Sequence, residues 1–240
     1  MHTPNTLALT LALTLSACAC SKKTPKPKHT EPWLAHPSAS AGVPDASIAS
    51  VAFRLAAGSK LEFELKTKKA RWQGQVPSLH GSLELSPANL AATRAHVEAD
   101  LRTLSLDGDA SDASDTARRA LGLTADAGPG GAASAVFELG SLDDLASPSL
   151  LEARTHGEPS GVRRVRATAV GELSLHGFRV SERVPVDAEV TLSPGGDPIS
   201  LVIRSRTPFV VSLVTHQIAP RGVDPAPREA RVSFELHLEK

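Results

Sequence analysis

Hydrophobic and polar residues alternate one by one along much of this chain. The longest such stretch is Ala169–Leu192, AVGELSLHGFRVSERVPVDAEVTL. Leu173 and Leu175 alternate with Glu172, Ser174 and His176. Farther on, Phe178, Val180, Val184, Val186, Ala188, Val190 and Leu192 keep a period of two. Side chains two apart share one face of a strand, so each half predicts a strand with one apolar and one polar face. A tight turn at His176–Gly177 sets Leu175 opposite Phe178 and Leu173 opposite Val180, and the two apolar faces then coincide in one hairpin. Glu182 breaks the pattern. A hairpin cannot bury such a face alone, so the rest of the chain must supply a large sheet.

It does so in short runs. Val51, Phe53 and Leu55 alternate, and Leu61, Phe63 and Leu65 alternate with Lys60, Glu62, Glu64 and Lys66. Trp72–Val76 and Leu79–Leu85 follow, with Leu83 and Leu85 on one face. Gly74 and Gly81 stand inside this text, where glycine marks a bulge or a sharp bend. Ala95–Leu106 alternates until its phase changes at Thr103–Leu104. Ala135–Leu139, Ile199–Ile203, Phe209–Leu213 and Val232–Leu238 read as further strands. One short helix is predicted over Ser111–Leu123, with Asp112 as cap, Asp115 in its first turn, and Arg118 and Arg119 near its last. Ser141–Ala146 reads as a helical turn.

Eight to ten strands, one short helix and no βαβ rhythm predict an all-β, antiparallel fold. Long strands with glycines inside them favour a closed barrel over a sandwich. A barrel of eight strands can keep interior space that its side chains need not fill.

Composition narrows the function. The chain has 240 residues, with 26 basic and 26 acidic side chains, six Phe, two Trp and no Tyr. A nucleic-acid surface usually shows a basic excess and aromatic platforms; neither is present, so no nucleic-acid partner is expected. Both cysteines, Cys18 and Cys20, lie near the start, which leaves the rest of the chain without thiols for a disulfide or a metal site.

The first 17 residues carry the apolar run Leu7–Ala17, too short to span a bilayer but suited to a secretory signal. Leu15-Ser16-Ala17-Cys18 resembles a bacterial lipobox, which implies cleavage before Cys18 and a diacylglycerol on its thiol. A plain secretory signal is the other reading. Ala19 rather than Asp follows the cysteine, which by analogy with enterobacteria favours the outer membrane, facing the periplasm. Residues 18–47 hold four lysines and five prolines among Ala and Ser. Such a segment buries too little to offset its ordering entropy, so it reads as an extended linker. Residues 48–240 then form the folded domain.

Within that domain no pair of histidines has the spacing of a local metal site. Asp107–Asp115 has the carboxylates of a calcium loop, but Asp112 and Arg118 stand where Gly and Glu are needed. His176 reads as a solvent-facing turn residue. Arg163, Arg164 and Arg166 read as charges on a strand's outer face, with an anionic head group as the alternative partner. No nucleophile elbow or phosphate loop appears, so neither catalysis nor a cofactor is expected. The apolar inward faces remain, either as a filled core or as the wall of a tunnel.

Four segments resemble the YceI-like family of secreted lipid-binding proteins. Gly171-Glu-Leu-Ser-Leu-His-Gly177 is similar to its G-x-L-x-L-x-G signature. Leu61–Leu65 with Gly74 and Gly81–Leu85 is similar to its opening hairpin. Leu90–Leu106 and Thr207–Ile218 resemble two further strands. The resemblance covers roughly Val51–Lys240. It implies an eight-stranded, lipocalin-like barrel that holds an apolar lipid such as an isoprenoid or fatty acyl chain, without catalysis. The ligand-cavity candidates are then Phe63, Leu65, Leu83, Leu85, Ala169, Gly171, Leu173, Leu175, Phe178, Val186, Phe209 and Phe234, with free space expected along Ala167, Ala169 and Gly171. The rival expectation is a structural or interaction lipoprotein with a filled barrel and no ligand.

Overall fold

The structure is a computed structural model. It describes residues 50–68, 71–107, 114–115, 118, 121, 123, 133–150, 161–218 and 227–240. The signal, the linker and Cys18 lie outside the described residues.

Among the described residues, twelve extended runs form one antiparallel sheet. They are β1 Val51–Leu55, β2 Lys60–Lys66, β3 Arg71–Val76, β4 Leu79–Leu85, β5 Arg94–Asp100, β6 Ser105–Leu106, β7 Ser134–Asp143, β8 Val162–Leu175, β9 Phe178–Leu192, β10 Pro198–Ser205, β11 Phe209–Ser212 and β12 Glu229–Glu239. Pairing reduces these twelve runs to eight staves. β12 pairs with β2, Val232 facing Phe63, and then with β1, Leu238 facing Leu55, after a register displacement of two residues. Residues 51–66 are therefore one stave, interrupted between β1 and β2. By the same reading β3 and β4 form a second stave, β5 and β6 a third, and β10 and β11 the seventh. β7, β8, β9 and β12 are continuous. Each stave pairs with the next in sequence, and the last pairs with the first. The result is a closed, eight-stranded, up-and-down antiparallel barrel.

Local chemistry explains the interruptions. Gly58, at φ +93°, turns the chain between β1 and β2, and Pro77, which has no N–H to donate, separates β3 from β4. Leu101–Thr103 is a 3₁₀ turn whose entry is fixed by the Asp100 carboxylate accepting from the Arg102 N–H. That turn is the phase change read at Thr103–Leu104. The expected hairpin is present as read: Leu175 faces Phe178, Leu173 faces Val180, and His176 and Gly177 both take positive φ at the turn.

Several expectations need correction. Gly74 and Gly81 are not bulges. They pair regularly, and a side chain from another strand crosses each of them: a Cβ on Gly74 would lie 2.9 Å from the Phe63 ring, and one on Gly81 3.1 Å from Leu55. The bulges lie at Gly140 in β7 and Ile199 in β10, and Ile199 is consequently turned outward, 44% exposed. The helical turn expected at Ser141–Ala146 is strand through Asp143. Of the expected short helix, Ser114, Asp115 and Arg118 are helical, Leu121 and Leu123 are buried but not helical, and the other positions lie outside the described residues.

The outer face is polar and laced with ion pairs. Arg164 meets Glu189 and Arg166 meets Asp187, each at 3.2 Å, so two of the three clustered arginines are spent on cross-strand partners. Arg204 and then His237 hold the Glu235 carboxyl at a pKa of about 2. The inner face carries the core, whose clusters occupy the two ends and the middle of the barrel.

Candidate functional site

The alternation that makes the staves also lines the interior. A cavity of about 220 Å³ is bounded by inward residues of all eight staves. On β8 the lining runs from Val165 to Leu175. At about 3.3 Å per residue and a tilt near 40°, that span is roughly 25 Å along the barrel axis. The cavity is therefore an elongated channel along the barrel axis.

Both ends are covered. At the hairpin-tip end, Leu101, Leu104, Leu121, Leu213 and Ile218 are buried over the channel. Arg118 ties the helical segment down there, donating from Nη2 to the Leu104 carbonyl at 2.9 Å and pairing with Asp115 at 2.8 Å. At the other end Leu90 and Leu150 form the cover. Their loops are joined by Leu90 N–H to Pro148 O at 2.9 Å and Leu150 N–H to Pro87 O at 2.8 Å.

Between the covers the wall is less completely packed. On β12, Val232 and Leu236 are buried while Phe234 between them is only half-buried, although it faces inward. Leu173, Phe137 and Phe209 are likewise inward and half-buried. A filled core covers such residues completely; here the space in front of them is the channel. Phe209 and Phe234 meet edge to face, centroids 6.2 Å apart at 71°.

The sequence candidates fall as follows. Phe63, Leu65, Leu83, Leu85, Ala169, Leu173, Leu175, Val186, Phe209 and Phe234 are brought together around this one cavity. Gly171 and Phe178 are not among its lining residues. Phe178 sits at the hairpin tip, opposite Leu175 at the end of the channel. The space expected beside Gly171 is occupied: a Cβ there would run into the Glu138 carbonyl and lie 2.6 Å from Phe137 Cζ. The Phe137 ring thus folds over the glycine. Sequence reasoning passed over Phe137, yet its signal was visible in the Ala135–Phe137–Leu139 alternation.

Two polar side chains matter inside. Glu182 stands on the inward face of β9, half-buried, and lines the channel. Burial raises its carboxyl above the ordinary value. His216 is fully buried, and neither ring nitrogen completes a hydrogen bond. Burial lowers its pKa, offset in part by the backbone of Phe178 and Leu175 at the hairpin tip. His176 is half-buried rather than solvent-facing, and its Nδ1 has no partner. No cluster of three or more potential metal ligands occurs among the described residues.

An up-and-down antiparallel barrel of eight staves around an apolar channel defines a lipocalin-like barrel, the fold that the YceI-like resemblance implies. Among solved structures, the chain is similar to a polyisoprenoid-binding domain from Saccharophagus degradans implicated in plant cell wall breakdown. The TM-score is 0.54 at 18% identity, over 78% of this chain and 97% of that one. It is also similar to BcnA of Burkholderia cenocepacia, with a TM-score of 0.47 at 14% identity over 75% of this chain and 95% of that one. No family model and no curated protein matches the chain. At 18% identity the likeness to the polyisoprenoid-binding domain is one of fold.

Proposed function

We propose that the domain binds a linear apolar lipid, an isoprenoid or fatty acyl chain, inside the barrel, and serves as its carrier. The channel carries this reading: it runs along the barrel axis and is lined almost throughout by apolar side chains. Each methylene moved into it from water contributes about 0.8 kcal/mol, so a long chain binds without a charged anchor. The fold it shares with a polyisoprenoid-binding domain supports the same class of ligand. Binding is passive, by burial, and asks for no catalytic group. The lipobox-like Leu15–Cys18 supports a lipid-anchored protein of the cell envelope, held at the outer membrane toward the periplasm with residues 18–47 as its tether. The rival reading, a filled scaffold, requires a fully packed middle layer, which Phe137, Leu173, Phe209 and Phe234 do not provide.

The test uses the full chain extracted from membranes. Its organic extract should contain a long-chain lipid at close to one per protein, and the stripped protein should rebind an added isoprenoid or fatty acid by native mass spectrometry. An extract without stoichiometric lipid, together with no rebinding of either class, overturns the proposal.

A further inference from the structure

Glu182 is the one ionisable side chain among the described residues that line the channel. Two other polar residues line it, and neither is free for a ligand. The Thr93 hydroxyl is buried and accepts from the Ser86 N–H at 3.3 Å, and Ser82 lies on the exposed face of β4. Glu182 differs from both. It stands between Val180 and Val184 on the inward face, with Gly171 directly opposite on β8. It has no hydrogen bond or ion pair with any described residue. The cations on its own strand, Arg179 and Arg183, are exposed on the other face and pair with Glu172, Asp143 and Asp144. On the β8 side its partner is a glycine whose space is filled by the Phe137 ring. Burial therefore acts on this carboxyl unopposed.

A carboxyl against an apolar wall is costly unless something meets it. Along the channel, the neighbouring inward positions of β9 are valine or alanine up to Val190. From Glu182 to Val190 is about 20 Å along the axis, at roughly 3.3 Å per residue and the tilt of such a barrel. That length suits an apolar tail whose polar end lies at Glu182.

We propose that Glu182 recognises the ligand's head group: it accepts a hydrogen bond from a proton-donating head, a hydroxyl or an amine, and disfavours an anionic one. This rests on the lipid-carrier reading and adds a preference that apolar burial cannot create. A carboxylate head brought beside Glu182 faces a like charge in a medium that screens poorly, and either it or Glu182 must take up a proton to bind. An alcohol or amine faces no such cost, and gains a charge-assisted hydrogen bond.

The test is a binding series on the full chain with four probes that share one saturated, branched tail: phytanol, phytanylamine, phytanic acid and the hydrocarbon phytane. At neutral pH the wild type should bind the alcohol and the amine at least about tenfold more tightly than the acid, which corresponds to about 1.4 kcal/mol. Glu182→Leu should bring the alcohol, acid and hydrocarbon close together and strengthen phytane. Glu182→Gln, which keeps an acceptor and loses the charge, should retain the alcohol and recover the acid. A native unfolding transition checks that each variant is folded. Equal wild-type affinities for the alcohol, amine and acid, or an unchanged ranking in Glu182→Leu, overturn the assignment while phytane binding leaves the carrier reading standing. Failure of all four probes, phytane included, overturns both.

Discussion

The two halves of the barrel wall solve the same problem differently. From β7 to β9 the staves are unbroken, and the β8–β9 ladder keeps one register from Val162 to Leu175. From β10 round through β12 to β6, four staves are broken in two. Curvature in the unbroken half comes from the Gly140 bulge and from Gly171, where the Phe137 ring crosses a strand without a side chain. The broken half has a bulge and crossed glycines of its own, at Ile199, Gly74 and Gly81, and adds turns inserted into the strand: Gly58, Pro77, the 3₁₀ turn at Leu101 and the Arg206–Pro208 break. A barrel can bend its wall by thinning a strand or by cutting it. After either device the strand resumes with its apolar residues inward, which is why one channel runs past both.

The largest test of this contrast lies in the packing. Leu65, on a broken stave, is completely covered, whereas Leu173, on an unbroken one, faces the channel. Leu65→Ala should cost about 2–5 kcal/mol in chemical unfolding, transfer and cavity terms together. Leu173→Ala should cost roughly 1–2 kcal/mol, since it mostly enlarges a space already open. Equal losses would mean that the middle layer is as packed as the ends. The glycines come next. Gly171→Val should cost about 3 kcal/mol, because neither the Glu138 carbonyl nor the crossed ring can yield freely. Gly58→Ala should cost about 1 kcal/mol, the strain of its positive φ, because the nearest atom to its new Cβ is 3.9 Å away.

The smallest effect sits where the halves meet, at His216 beneath the β8–β9 tip. Its folded-state pKa is depressed by burial, so below the ordinary histidine value near 6.5 the unfolded chain binds the proton more readily. Stability should therefore be flat above that pH and fall as the pH drops toward the folded-state value. His216→Leu should remove this component from the pH dependence of the unfolding midpoint. An identical pH profile in the variant would show that the ring is not held neutral.

The contrast also explains what could be read from the residues. In the unbroken half, alternation alone placed the hairpin, its turn and its register, because a strand without interruption keeps its period. In the broken half, the same reading found the strands but could not join them into staves: between β1 and β2 a shift of two residues preserves the inward face and leaves no trace in the pattern, and between β3 and β4 the inward phase changes at Pro77. Ile199 misled for the opposite reason: a one-residue bulge reverses the phase of an apolar residue that otherwise reads as inward. Ten candidate lining residues were legible as apolar, inward positions. Gly171 was read as empty because a glycine gives no hint of which ring will cross it. Glu182 was visible only as an exception to a pattern, and its consequence depended on what faced it across the barrel.

The closing contact between Leu55 and Leu238 joins strands almost the full length of the domain apart. Contacts that distant form late and slowly, because loop closure must be met before they stabilise anything. Until β12 seats itself between β10 and the first stave, the sheet has two open edges and the channel has a slit along its side. Assembly order thus sets how long the interior stands open along one side, and the arrival of the last strand closes it.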